Sequence, residues 1–176
     1  VGVGIGRFMP QRPIATADGM PDYTLKNAAA TSVKLDYWWR SWVATRVGYE
    51  WVRTGVSKPN VPSFGRIYTV SGAVLLAPVQ LPMRRSPYLA LGGGVRRYNI
   101  NSSLSNGGPA WDIAPNQNPP AAYGGVGAGL SLGGILIVPE AGVWTNTFKH
   151  EYRCNGCTDT SDEMDVVLTL HLVFAR

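Results

Sequence analysis

The stretch "DYWWRSWVATRVGYEW", residues 36–51, decides the fold. It holds four of the chain's six tryptophans and two of its eight tyrosines, with Asp36, Arg40, Arg46 and Glu50 set between them. Read as two strands around a tight turn, it has two plausible registers. A two-residue turn at Arg40-Ser41 would set Trp39 opposite Trp42 and put Glu50 on the face of Val33, Leu35 and Tyr37. A three-residue loop, Arg40 to Trp42, pairs Trp39 with Val43 instead. Val33, Leu35, Tyr37 and Trp39 then share a face with Val43, Val47, Tyr49 and Trp51, while Lys34, Asp36, Arg46, Gly48 and Glu50 collect on the other. Asp36 comes to lie directly across from Arg46. Because strand side chains alternate, a one-residue slip would undo this sorting, so the second register is preferred.

The same period-two alternation runs the length of the chain, and no segment shows a helical stripe. It predicts eight strands at about 1–9, 28–39, 43–56, 64–77, 86–99, 120–132, 135–150 and 163–175. Most exceed the five or six residues common in globular sheets and suit the ~9–11 residues of a tilted strand that crosses a bilayer. The connections alternate as well. "RSW" and "GG" are short and "PVQLPMRR" is intermediate, whereas "PQRPIATADGMPDYTLKN" and "INSSLSNGGPAWDIAPNQNP" are long. Short turns at one end and long loops at the other describe an all-β, eight-stranded antiparallel up-and-down transmembrane β-barrel, formed by residues 1–176 as one domain. An even strand count puts both termini at the short-turn end.

Composition agrees. Only 15% of the 176 residues are charged, against roughly 25% in a typical soluble chain. The longest apolar run, "VSGAVLLAPVQLP", contains two prolines and falls short of a membrane-spanning helix. A start at Val1 fits a removed signal peptide or a trimmed chain. The net charge of +5 comes without a Lys/Arg-rich run, so nucleic acid is not an expected partner. In "CNGC", Asn-Gly suits the centre of a hairpin turn, which would bring Cys154 and Cys157 to disulfide distance. A redox pair or half a zinc site lacks the helix start or further ligands it needs.

Face assignment turns on glycine. Gly2, Gly4 and Gly6, Gly92 and Gly94, and Gly125, Gly127 and Gly129 fall on one face. Val1, Val3 and Ile5, Leu89, Leu91 and Val95, and Val126, Ala128, Leu130 and Leu132 fall on the other. A lipocalin-like barrel would turn the bulky face inward, but strand positions in water rarely want glycine. A narrow eight-stranded interior does. The bulky face therefore belongs in lipid, with Tyr37, Trp39 and Trp42 at the short-turn interface and Tyr49 and Trp51 approaching the other, a double aromatic girdle. The lumen receives Lys34, Asp36, Arg46, Glu50, Arg96, Glu140 and His171, which must pair there. Salt bridges filling the interior are favoured over a narrow ion path, because eight strands leave room for little else. Pro139 lacks an N–H for the ladder, and a bulge or break is expected in its strand.

The motifs "SPYLALGGGV", "PEAGVW" and the terminal run "MDVVLTLHLVF" resemble the small outer-membrane barrels of the OmpA/OmpX-like group, and the likeness of architecture covers the whole chain. Ala175 and Arg176 after Phe174 depart from the family's terminal aromatic. The resemblance implies a bacterial outer-membrane location with long loops extracellular and termini periplasmic. It implies a structural or adhesive role and no cofactor or metal. Other readings are a lipid A-modifying enzyme, a narrow channel, or a subunit of a larger surface assembly or homo-oligomer. The enzyme reading finds no catalytic set: His150 has Glu151 beside it but no serine two places away, and the neighbours of His171 on its face are Thr169 and Val173. Asp159, Asp162, Glu163 and Asp165 lack the EF-hand order and read as a solvated loop. Arg53, Lys58, Arg66, Arg97 and Lys149 lie toward the long-loop end, where lipopolysaccharide phosphates would meet them.

Overall fold

The computed structural model describes residues 1–12, 15–17, 20–57, 63–77, 87–101, 111–113, 116–132, 135–152 and 158–173. Eight antiparallel strands close into a barrel: β1 (Gly2–Pro10), β4 (Ala28–Arg40), β5 (Val43–Ser57), β6 (Ser63–Leu76), β7 (Pro87–Asn101), β10 (Pro120–Ala128, continued after one residue by β11, Leu130–Leu132), β12 (Ile135–Tyr152) and β13 (Thr158–Val173). Each pairs with the next and β13 returns to β1, so the sheet closes on itself without a free edge strand among the described strands. Four short strands, β2 (Ala15–Ala17), β3 (Met20–Leu25), β8 (Trp111–Ile113) and β9 (Asn116–Gln117), extend the wall at the long-loop end. There β3 joins β5, β8 joins β12 and β9 joins β7. Segments that read as loops in the sequence are thus partly strand. No described residue is helical.

The faces are sorted as the alternation predicts. Leu168, Leu170 and Leu172 are each 45% exposed on the outer surface, whereas Asp165 is 0% exposed inside. Ile5, Val47, Leu91 and Val126 also face out, and Phe8, Val52, Tyr98 and Trp144 face in. In the opening hairpin Asp36 pairs with Arg46 and Lys34 with Gly48.

Three local expectations are corrected. Arg40, not Trp39, pairs with Val43, because a β-bulge between Trp38 and Arg40 absorbs one residue at the turn. A two-residue turn with a bulge keeps the preferred register upstream while tightening the loop. Strand β12 runs unbroken through Pro139, whose partner on one side is Leu170. The interruption falls in the neighbour instead: β10 pairs with β12 as far as Gly127 opposite Glu140, and pairing resumes at Leu130 opposite Ile137. The residues skipped lie opposite the missing N–H. Finally, residues 158–165 are part of β13, so Glu163 and Asp165 are buried in the lumen rather than solvated. Long pairing with β12, as far as Glu151 opposite Thr158, holds them there. Cys154 and Cys157 lie outside the described residues.

Candidate functional site

The lumen is filled by two clusters of charged and phenolic side chains. In the one nearer the short turns, Arg46 Nε and Nη2 donate to Asp36 Oδ1 and Oδ2 at 2.6 and 2.8 Å, a two-point pair across adjacent strands. Arg46 Nη1 also donates to Glu140, and Lys34 Nζ meets Glu140 Oε1 at 2.6 Å. The hydroxyls of Tyr88 and Tyr123 donate to the same carboxylate. Glu140 therefore accepts from four side chains on four other strands, with its own side chain 1% exposed. Two cations and two carboxylates balance in charge. The Arg46 guanidinium also stands 5.3 Å from the centre of the Tyr88 ring.

Glycines make room for these rings. A Cβ on Gly127 would strike Tyr88, and one on Gly125 or Gly142 would strike Tyr123. A Cβ on Gly4 would meet the His171 ring, whose Nε2 lies 2.8 Å from Thr169 Oγ1. The small lumen residues thus form wells for larger ones.

The second cluster lies toward the long loops. Arg96 is fully buried and pairs with Asp165. Its guanidinium stands 5.8, 5.4 and 5.7 Å from the ring centres of Phe8, Tyr98 and Trp144, a cage that accommodates a delocalised cation. Tyr98 donates to Glu163, and Asn146 Nδ2 donates to the same carboxylate at 3.1 Å. Glu50, 8% exposed, is buried between the two clusters. A cavity of about 20 Å³, lined in part by Lys34, Arg46, Glu50, Tyr123 and Thr169, lies there. A second cavity, about 50 Å³, opens among Asp36, Trp38, Arg46, Tyr88 and His171. Volumes of this size hold on the order of one to a few waters.

All seven lumen residues expected from the sequence point inward, but they do not form one network. Lys34, Asp36, Arg46 and Glu140 come together, Arg96 belongs to the other cluster, and Glu50 and His171 join no ion pair among the described residues. Sequence reasoning missed Tyr88, Tyr98, Tyr123, Asn146, Glu163 and Asp165. Parity alone marks several of them, since Tyr88 and Tyr98 share alternate positions with Ala90 and Arg96. On the outer surface, Tyr37, Trp39, Trp42, Tyr49 and Trp51 are all exposed. The Tyr37 and Trp39 rings meet edge to face at 4.7 Å, and Trp39 Nε1 donates to Thr45 Oγ1 at 3.1 Å. Arg53, Arg66 and Arg97 are exposed on the same surface. Lys58 and the side chain of Lys149 lie outside the described residues.

The wall has one further feature. Among the described residues, pairing of β10 with β12 ends at Ala121 opposite Asn146, and β12 is next joined on that side by β8, at His150 opposite Ile113. Beside this gap is an open groove of about 630 Å³, lined by residues of both faces, among them Asn146 and Glu163 inside and Thr145, Thr147 and Asp162 outside. Thr147 Oγ1 donates to Asp162 Oδ1 at 3.0 Å along its edge.

A closed eight-stranded antiparallel barrel with an apolar outer belt and a charged interior has the architecture of transmembrane β-barrels of the outer-membrane kind. The chain is similar in fold to the crystal structure of the outer-membrane protein OprG from Pseudomonas aeruginosa, at 12% identity and a TM-score of 0.59, over 97% of this chain and 92% of that one. It is also similar to the solid-state NMR structure of the outer-membrane protein AlkL in DMPC bilayers, at 12% identity and a TM-score of 0.52, over 98% and 87%. No protein-family model and no curated protein matches the chain.

Proposed function

We propose that residues 1–176 form a one-domain, non-enzymatic barrel of the OmpA/OmpX-like kind, with a structural or adhesive role carried by its long-loop end. That end faces outward, both termini are periplasmic, and a Cys154–Cys157 disulfide closes one loop tip. Lipopolysaccharide surrounds it, and a second copy or a surface-assembly partner would dock on the same loops. The observation that carries this reading is the filled lumen. Two buried ion clusters close it, and the cavities beside them hold only about 50 and 20 Å³. An interior so occupied leaves the loop end as the working surface. Planar-bilayer recording is the test: no conductance above background is expected, and stable conductance steps would overturn the proposal.

The wall gap favours a second reading, a route by which a small ligand enters at the loop end and leaves sideways through the groove beside β12. On that reading proteoliposomes take up a small uncharged solute, and Thr147→Trp, which fills the groove, abolishes uptake. Absence of uptake by the unaltered barrel removes it.

A further inference from the structure

Ion pairs account for most of the charge in the lumen. Lys34 and Arg46 are matched by Asp36 and Glu140, and Arg96 by Asp165. Glu163 has no ion pair among the described residues, but it accepts from Tyr98 and Asn146. Glu50 has neither kind of support. Among the described residues it joins no ion pair, and its buried Oε1 has no hydrogen-bond partner. A carboxylate buried in this way requires a counter-ion, water or a proton.

Its neighbours narrow the choice. On the inner face the β4–β5 register sets Ser32 directly opposite Glu50, and the β5–β6 register sets Thr69 opposite it on the other side. Ser32 and Thr69 are both buried, and neither hydroxyl has a hydrogen-bond partner. Side chains directly opposite on a ladder stand ~4.5–5.5 Å apart at Cβ, so an oxygen-bearing neighbour lies on either side of the carboxylate. Glu50 also forms part of the wall of the cavity of about 20 Å³, together with Gly48, Ser71 and Thr169. Gly48 keeps that space open, since a Cβ there would come within 2.8 Å of Ser71 Oγ.

Water satisfies hydrogen bonds but leaves the charge, which is costly where solvent is scarce. Lys34 and Arg46 line the same cavity, but both are committed to Glu140, and Arg46 to Asp36 as well. A divalent ion is a poor match: calcium takes about six to eight oxygen ligands, and magnesium keeps several waters. Here a single unpaired carboxylate borders a space on the order of one water molecule. A small monovalent cation suits both the charge and the volume.

We infer that Glu50, flanked by Ser32 and Thr69, holds a sodium ion in the middle of the lumen, between the two ion clusters. The site lies inside the barrel wall and is independent of any role at the loop end.

Urea unfolding of the full chain in a zwitterionic detergent, followed by tryptophan fluorescence, tests this with sodium chloride exchanged for choline chloride. Choline is too large for the cavity, and constant ionic strength keeps screening fixed. Sodium is expected to raise the midpoint saturably, lowering the unfolding constant about tenfold once its concentration is about ten times the dissociation constant. Glu50→Gln keeps the shape and removes the charge, so its midpoint should not respond to sodium and should exceed the parent's in choline. Ser32→Ala and Thr69→Val, with Glu50 intact, should shift the response to higher sodium concentration. Sodium-23 relaxation reads binding without unfolding: the parent should broaden the signal and Glu50→Gln should not. Gel mobility with and without boiling verifies that each variant is folded. A parent with the same midpoint in sodium and choline would overturn the site, leaving water or a proton on Glu50. So would a sodium response that survives in Glu50→Gln, or hydroxyl variants that respond as the parent does.

Discussion

Glu140→Ala is expected to destabilise the barrel by roughly 3–5 kcal/mol, the usual cost of removing one partner from a buried ion pair. Four groups lose their acceptor at once: Lys34, Arg46, Tyr88 and Tyr123. Arg46 retains Asp36, but among the described residues Lys34 has no other carboxylate within hydrogen-bonding distance, and its side chain is only 14% exposed. The cost lies in leaving charge unbalanced in a site that water reaches poorly. Urea unfolding in detergent micelles, followed by tryptophan fluorescence, measures it as a lower midpoint. Asp36→Ala is the internal comparison. Its side chain is 28% exposed toward the short-turn end, and solvent there compensates part of the loss, so its effect should be clearly smaller. Equal midpoints for Glu140→Ala and the parent would show that the lumen network contributes nothing to the fold.

The second large effect is expected at Arg96. Arg96→Met preserves much of the side chain's length and apolar contact with Phe8, Tyr98 and Trp144 while removing the charge. Asp165 and Glu163 are then left 0% and 1% exposed without the cation that faces them. A loss of about 3–5 kcal/mol follows on the same grounds. The informative partner is the double variant Arg96→Met/Asp165→Leu. Replacing both members of a buried pair by apolar groups of similar volume is often neutral, so the double variant should recover a large part of the loss. A double variant less stable than Arg96→Met alone would mean that Asp165 matters through something other than this pair. The two experiments also separate the clusters, since no hydrogen bond or ion pair between described residues joins Glu140 to Arg96 or Asp165.

Much of this was legible in the residues. The alternation predicts strands at 28–39 and 43–56, and the structure has them at Ala28–Arg40 and Val43–Ser57. Asp36 lies opposite Arg46 as the hairpin pattern requires, because side-chain parity and a short turn leave few registers open. The misses are equally specific. The bulge at Trp39 is a one-residue adjustment that leaves the upstream pattern unchanged, so periodicity cannot detect it. The acidic run at 159–165 has the composition of a solvated loop, and only its pairing with β12 reveals it as strand. The interruption near Pro139 appears in the neighbouring strand because a missing donor is felt by whichever strand it should have reached.

What the sequence determined by itself is parity: which side chains meet lipid and which meet the lumen, for nearly every strand. That follows from the two-residue repeat of extended backbone, a local property that each segment carries alone. What only the tertiary structure decided is who meets whom across the interior. Arg46 and Glu140 are 94 positions apart, and Arg96 and Asp165 are 69 apart. Their encounter depends on strand tilt and on the stagger accumulated around a closed ring, which no single segment encodes.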